Sequence, residues 1–378
     1  MFDEGMFEAV RRPLAEAETL PPRCYHDREF YEAEIRHIFH RKWLLIGRTD
    51  EWPKAGDFQT YERSGIPFLI AKDGKGTLHA FSNSCRHRSA QIASGKGHCR
   101  NFVCPYHSWV YGTDGQLLSA PGTEQTANFD KGQYGLREIK LAVWHSFVFV
   151  NFDDGCASLE SQLGDLAQYL APYDFENVVT VGRREWVVTA NWKSYVENSM
   201  EWLHHTTVHR KSIFGRVATV ERVPIIGNPG EYVLVRSLAK GVSRAVMGDD
   251  KSFPPVSTLT GATREGSHYA LVYPYSMIGC DLDSIWYKQM IPEGPDKVRN
   301  IATYCFHREI IDRPDFEEIA PNYYKRFATV VEEDNEAMAQ QFAGLVSPFA
   351  QPGRFSDREV LVHQINNWVL DQVVGSGR

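Results

Sequence analysis

The sequence predicts an α+β protein in which a small all-β domain precedes a larger mixed domain, and three observations point there. The chain has 378 residues, which is long for one domain and natural for two. From Trp43 to about Phe152, short apolar runs (PFLIA, LHAF, NFVC, VFVNF) alternate with glycine-containing turns such as KDGKG and GTDG, the texture of an all-β unit. Beyond it, longer strand-like stretches alternate with helical periodicity, as in α+β domains. The expected boundaries are residues 1–42 for an N-terminal helical segment packed on the later domain, 43–153 for the all-β domain and 154–378 for the mixed domain.

Individual elements carry their own signals. Asp27 is placed to cap a helix in which Tyr31, Ile35, Ile38 and Phe39 recur at helical spacing. A helix over Tyr323–Leu345 puts Phe327, Val330, Val331, Met338 and Leu345 on one face. Asp334 falls on that stripe, where a carboxylate is unfavourable unless it is paired, protonated or bound to a metal. Its neighbours Glu332 and Glu333 lie off the stripe and read as solvated charge. Ser356-Asp357-Arg358-Glu359 has the spacing of a capping box ahead of Leu361, Ile365, Trp368 and Val369.

Composition excludes several classes. Hydrophobic residues at 43% and charged residues at 24% suit a globular protein with a sizeable core. A net charge of −7 without a basic run argues against a nucleic-acid partner. The longest apolar runs are strand-sized, as in Phe147–Val150, so no membrane span is expected. The N-terminal MFDEGMFEAVRRP has no signal-peptide apolar core, and the expected location is the cytoplasm. Seven cysteines (Cys24, Cys85, Cys99, Cys104, Cys156, Cys280 and Cys305) are an odd set for a disulfide framework; metal ligation for some and plain burial for the rest fit better.

The strongest motif is Cys85-Arg86-His87 followed by Cys104-Pro105-Tyr106-His107, each pair at a turn of the β-rich region. Two thiolates and two imidazoles also suit zinc, so the ligand set alone leaves the metal open. The stretch NSCRHRSAQIASGKGHCRNFVCPYHSWVYGTDGQL resembles the double motif of the Rieske family nearly throughout. The resemblance implies a [2Fe–2S] cluster with Cys85 and Cys104 on one iron and His87 and His107 on the other, an arrangement that raises the reduction potential. Where the family usually has glycine, this chain has Ser89 and Ser108; altered hydrogen bonding is expected there, with the cluster retained. Cys99 lies between the pairs but lacks a well-spaced histidine.

A second constellation runs from Asn191 to His209. Read as a helix, it places Glu197, Glu201, His204, His205 and Val208 on one stripe, compatible with a metal site or a solvated face. His205 and His209 would meet on a regular helix, whereas His204 and His209 require it to loosen or end. The pattern NWK-x₃-EN-x₂-E-x₂-H-x₄-H resembles the catalytic segment of Rieske oxygenases. That resemblance implies His204, His209 and the distant Asp334 as ligands of a mononuclear Fe(II), the two-histidine, one-carboxylate triad that leaves positions open for O₂. It also implies that Glu201 links an iron-ligand histidine to a cluster histidine of a neighbouring subunit. Asn198 falls close to the iron, to orient O₂ or substrate or to pack the helix.

By the same resemblance, the mixed domain should be a helix-grip fold, a curved antiparallel sheet closed by helices. The chain should act as a Rieske-type mono- or dioxygenase on a small organic substrate, within a homotrimer. Electrons would come from a separate NAD(P)H-dependent reductase, with or without a ferredoxin, since no G-x-G-x-x-G nucleotide fingerprint is present. Substrates in range are aromatic compounds or quaternary amines undergoing oxidative N-dealkylation; glutamate at the bridging place resembles the carnitine, glycine-betaine and stachydrine branch. Tyr269, Tyr273, Tyr275, Trp286 and Tyr287 are candidates for a cation–π cage or for strand core. Two readings lie outside this class: a cluster-only electron-transfer protein and a zinc-binding interaction protein.

Overall fold

The structure, a computed structural model, describes residues 4–213, 221–238 and 243–375; the first residues of the acidic N-terminal stretch lie outside them. The chain divides into two compact units, His40–Cys156 and Met1–Phe39 together with Ala157–Arg378. Among the described residues no helix is long and apolar enough to cross a membrane.

The unit His40–Cys156 is all-β. Its strands are β1 (Leu44–Arg48), β2 (Asp57–Arg63), β3 (Ile66–Lys72), β4 (Leu78–Ser82), β5 (Lys96–His98), β6 (Asn101–Val103), β7 (Val110–Gly112), β8 (Leu117–Ser119), β9 (Glu138–Trp144) and β10 (Phe147–Asn151). They form one antiparallel sheet in the order β1-β10-β9-β4-β3-β2-β5 and a small one in the order β6-β7-β8. The unbroken apolar run of β10 follows from its place between β1 and β9, buried along its length. In the GTDG turn, Gly115 has φ +82° and lies where a Cβ would meet the Phe81 ring at 2.5 Å, so only glycine fits. Phe81, Phe102, Trp109, Tyr111 and Leu117 share one core, on which both cysteine-bearing loops stand.

The second unit centres on an antiparallel sheet in the order β11-β17-β16-β15-β14-β13-β12. Its strands are β11 (Val178–Val188), β12 (Glu221–Ile225), β13 (Tyr232–Leu238), β14 (Gly266–Val272), β15 (Ser276–Cys280), β16 (Ile285–Gly294) and β17 (Lys297–His307). Four helices matter to the site: α1 (Arg28–Glu34), α2 (Trp192–Asn198), α3 (Phe316–Leu345) and α4 (Val360–Val373). A curved sheet gripped by helices in one unit and an all-β fold in the other make the α+β architecture the sequence predicts.

Local chemistry explains most helix ends. Asp27 caps α1, its carboxylate accepting from Phe30 N at 3.0 Å. Asn191 caps α2, accepting from Lys193 N at 3.0 Å and donating to Pro295 O at 2.8 Å. The next two residues of the NWK motif anchor α2 to α1: Lys193 Nζ meets Glu34 Oε1 at 2.6 Å and Trp192 Nε1 donates to Glu34 Oε2 at 3.0 Å, all fully buried. Breaking one side of such a pair costs about 3–5 kcal/mol.

Two helix starts differ from expectation. α3 begins at Phe316, on the far side of Pro321, because Phe316 and Tyr323 both stack on Phe253 (5.7 and 5.3 Å between centroids). That tertiary packing outweighs the one backbone bond the proline forfeits. α4 begins only at Val360: Glu359 accepts from Ser356 N at 2.7 Å, but Ser356 Oγ accepts from Arg358 N, so the box closes on the turn before the helix.

Candidate metal centres

The two Cys/His loops are near-copies of one turn. Cys85 N donates to Ala90 O, and Ser89 N donates back to Cys85 O; Cys104 N donates to Trp109 O, and Ser108 N to Cys104 O, all at 2.8–3.0 Å. Each turn closes through a residue of left-handed conformation, Ser89 at φ 56° and Ser108 at φ 59°, which is a physical reason for glycine at both places in the family. The turns bury Cys85 and Cys104 and leave His87 at the surface with its ring 4.5 Å from that of His107. Trp109 stacks on His87 at 4.9 Å.

This set fits a cluster. Nδ1 of His107 is buried with no hydrogen-bond partner among the described residues, an unfavourable state that a metal would relieve. Tyr111, which the sequence reading did not single out, stands behind Cys85: its hydroxyl accepts from Arg86 N at 3.0 Å and lies 3.2 Å from Cys85 Sγ. With the backbone N–H already directed at its oxygen, the hydroxyl proton is available to the sulfur. Burial first, then this bond to Cys85, raises the Tyr111 pKa.

The second group is assembled by a helix that stops. The segment Asn191–His209 is not one helix: α2 ends at Asn198, and a single 3₁₀ turn covers His204–Thr206. The Glu201 carboxylate accepts from the backbone N–H groups of Leu203 and His204, donors that a continuing helix would direct to its own carbonyls. The expected stripe is therefore dissolved. Glu197 turns into the core, accepting from Tyr25 Oη and Asn366 Nδ2, both at 2.7 Å, and burial lifts its pKa to about 7. His204 and His209 come together with Asp334 of α3: Asp334 Oδ1 lies 3.1 Å from His209 Nε2 and 3.8 Å from His204 Nε2. Two atoms on neighbouring positions of one ion, each about 2.1 Å from it, lie about 3 Å apart, so the three side chains fit a shared metal. Burial acts to raise the Asp334 pKa, but His209, Lys288 and His204 outweigh it and hold it at about 2.

His205 is also near, its ring 4.6 Å from that of His204, and the three histidines alone could hold a metal. Arg222 Nη2 donates to His205 Nδ1 at 3.1 Å. A guanidinium only donates, so Nδ1 is the acceptor and the proton sits on Nε2. Neither nitrogen then offers a lone pair.

Both remaining imidazoles are oriented from behind. His204 Nδ1 bonds to Glu201 Oε1, and His209 Nδ1 lies 2.7 Å from Glu333 Oε2, which also accepts from Ser212 Oγ at 2.6 Å. Glu333 is a correction: expected to be solvated charge, it is a positioning carboxylate. Glu332 does face outward, pairing with Arg184 at 2.9 Å. Asn198 Nδ2 donates to Asp334 Oδ1 at 3.1 Å, and Tyr195 donates to Asn335. Such outer contacts fix a metal ligand's direction and basicity.

A cavity enclosing about 990 Å³, part of it open to solvent, adjoins this group. Of the five aromatic residues considered for a cage, Tyr269 and Trp286 line it; Tyr273, Tyr275 and Tyr287 do not, and Tyr273 instead packs on Trp368 at 4.4 Å. Trp202 and Phe327 complete the aromatic lining. Gly279 opposes Trp286 across β15 and β16, and a Cβ there would meet the indole at 2.1 Å, so the glycine makes room for the ring.

Comparison with known proteins agrees with this picture. Residues 42–130 match the Rieske [2Fe–2S] domain, and residues 175–375 match the catalytic domain of the ring hydroxylating alpha subunit. The glycine betaine monooxygenase oxygenase subunit of Pseudomonas aeruginosa is 37% identical over 192 residues, a match spanning 50% of this chain but only 44% of that protein. The chloroplastic choline monooxygenase of Spinacia oleracea is 28% identical over 369 residues, covering 94% of this chain and 79% of that one. Among solved structures, the quaternary ammonium Rieske monooxygenase CntA in complex with L-carnitine superposes with a TM-score of 0.80 at 21% identity, covering 96% and 97% of the two chains. The naphthalene 1,2-dioxygenase of Rhodococcus sp. bound to indole superposes at 0.79 with 20% identity, covering both chains completely. With its catalytic match spanning more than half of the residues and a Rieske domain ahead of it, the chain belongs to the ring-hydroxylating oxygenase alpha subunits.

Proposed function

We propose that this chain is the oxygenase component of a multicomponent enzyme that hydroxylates a small organic substrate with O₂ and two electrons from a separate reductase. The observation that carries it is the convergence of His204, His209 and Asp334 beside a cavity, in a chain whose other unit presents Cys85, His87, Cys104 and His107 on two matched turns. When bound, a [2Fe–2S] cluster on the four Cys/His groups supplies one-electron transfer and a mononuclear iron on the triad supplies O₂ activation. The overall balance is substrate–H, O₂, two electrons and two protons giving substrate–OH and water. On an N-methyl group the hydroxymethyl product collapses to formaldehyde and a demethylated amine. The relatives that act on glycine betaine, choline and carnitine, and the aromatic wall of the cavity, favour a quaternary amine over a purely aromatic substrate.

The chain's own residues have definite tasks. Glu201 and Glu333 hold the Nδ1 protons of His204 and His209, so that each Nε2 faces Asp334. Asn198 fixes the Asp334 carboxylate. The aromatic lining keeps water from the reacting carbon. Glu201 would also reach a cluster histidine of a neighbouring copy in a head-to-tail ring, a homotrimer. A cytoplasmic setting, where NAD(P)H-dependent reductases are at hand, completes the proposal.

The test is metal analysis and visible spectroscopy of the purified, iron-loaded chain, followed by O₂ uptake coupled to a Rieske-system reductase and NADH over a panel of quaternary amines and aromatic acids. A brown protein with about three irons per chain and substrate-dependent O₂ uptake is expected. A colourless zinc protein, or a cluster without the additional iron, would sink the reading.

A further inference from the structure

We infer that the cavity beside the proposed iron ligands reads a carboxylate on its substrate, through Arg222 with Arg326 and Lys288. The inference rests on the oxygenase reading of that site and narrows its substrate class.

The cavity wall is unbalanced in charge. Arg222, Lys288 and Arg326 line it, against two carboxylates, Glu201 and Asp334. Both carboxylates are already engaged, Glu201 by His204 and Asp334 by His209 and Asn198. The Arg222 side chain, on β12, hydrogen-bonds His205 and no other described residue, and lies over the Trp202 ring at 5.5 Å. Arg326, on α3, lies over Phe327 at 5.1 Å, and its buried Nε has no hydrogen-bond partner among the described residues. Lys288, on β16 two residues beyond Trp286 and so on the same face of the strand, donates to Ser199 Oγ at 3.0 Å. Among the described residues none of these three has a carboxylate within ion-pairing distance, and the internal stretches left undescribed, 214–220 and 239–242, contain no aspartate or glutamate. Cations gathered in a buried cavity with no carboxylate at ion-pairing distance are unfavourable, and a guanidinium fork matches a carboxylate in shape and charge.

The opposite chemistry sits in the same cavity. Tyr269 Oη and Trp286 Nε1 donate to the buried Asp281 carboxylate at 2.9 and 3.1 Å. Negative charge drawn to the edges of two rings enriches their faces, which favours an ammonium group there. A zwitterion with an ammonium at one end and a carboxylate at the other satisfies both walls. An aromatic acid would use the arginines and stack on the rings. A bare cation such as choline meets like charges with nothing to offset them. The carboxylate is what the acceptable substrates share.

The experiment measures equilibrium binding to the iron-loaded protein without O₂, by calorimetry and by quenching of tryptophan fluorescence, with two matched pairs: glycine betaine against choline, and benzoate against benzyl alcohol. In at least one pair the acid should bind about tenfold tighter or more, as one charge-assisted contact allows; the pair that responds identifies the scaffold. Arg222→Gln should shrink the preference to less than about twofold with iron content unchanged, and Arg326→Gln should reduce it in part and serves if Arg222→Gln fails to fold. Alcohols binding as well as acids, no binding of any of the four, or a preference that survives both substitutions overturns the inference. Iron content and visible spectrum on the same samples keep the two readings apart. A colourless protein that still selects acids defeats the oxygenase reading alone, and an iron-loaded, O₂-consuming protein with no such selection defeats this one alone.

Discussion

The two candidate metal centres are built in opposite ways. The cluster turns are local: each ligand pair lies within one short loop, and the same backbone bonds close both loops onto Ala90 and Trp109. The triad is non-local. Two of its members follow a helix that breaks after Asn198, and the third stands more than a hundred residues later on α3, held in register by Glu333, Asn198 and Tyr195. A local site is specified by spacing, because the turn that presents the ligands is also the turn that spaces them. A non-local site is specified by packing, and its supports matter as much as its ligands.

The largest effect should come from removing the triad's distant member. Asp334→Ala is expected to reduce substrate-dependent O₂ uptake to background and iron from about three to about two per chain, with the visible spectrum of the cluster intact. A bleached cluster would mean that the two centres are not separately built. Next in size is the support behind His209. Glu333→Gln should weaken the mononuclear iron about 10- to 100-fold, read as the rate of iron release to a chelator, while Glu332→Gln, whose carboxylate faces Arg184 at the surface, should leave it unchanged. Equal behaviour of the two variants would remove the distinction between these adjacent glutamates.

That pair also shows where the sequence is readable and where it is not. The cluster motif, the α+β order and Asp334 as a carboxylate on an apolar stripe are visible because each is a matter of spacing along one element. Glu333 was not visible. It lies off the stripe of α3, and what makes it functional is His209 arriving from another part of the chain. The same limit explains Glu197 and Glu201. On an ideal helix they share a face; in the fold the Glu201 side chain captures the backbone donors of Leu203 and His204, the helix ends, and the two carboxylates part company. Nor could any spacing rule supply Arg222, whose donation to His205 argues for His204 as the candidate ligand. Ser89 and Ser108 stand out in the sequence as departures from glycine, but the reason glycine suits those places is a positive φ that only the fold displays.

Smaller effects probe the local centre. Tyr111→Phe removes the hydroxyl 3.2 Å from Cys85 Sγ. A hydrogen bond to sulfur stabilises the more negative, reduced cluster, so its midpoint potential should fall by about 50 mV, the equivalent of about 1 kcal/mol for one electron. Redox titration followed by visible absorbance measures this, and an unchanged potential would show that the hydroxyl is not bonded to the sulfur.

The smallest effect sharpens the contrast most. Ser89 and Ser108 are exposed and held at φ 56° and 59°, a conformation that disfavours a side chain by about 1–2 kcal/mol. Glycine relieves that strain but loses more entropy on folding, so Ser89→Gly and Ser108→Gly should each stabilise the cluster-bearing unit by about 0.5 kcal/mol. The midpoint of cluster bleaching in guanidinium reports it, and because the turns are local and separate, the two gains should add. A loss of stability instead would show that these serines hold their turns through their hydroxyls, and that the cluster site too depends on contacts its spacing does not reveal.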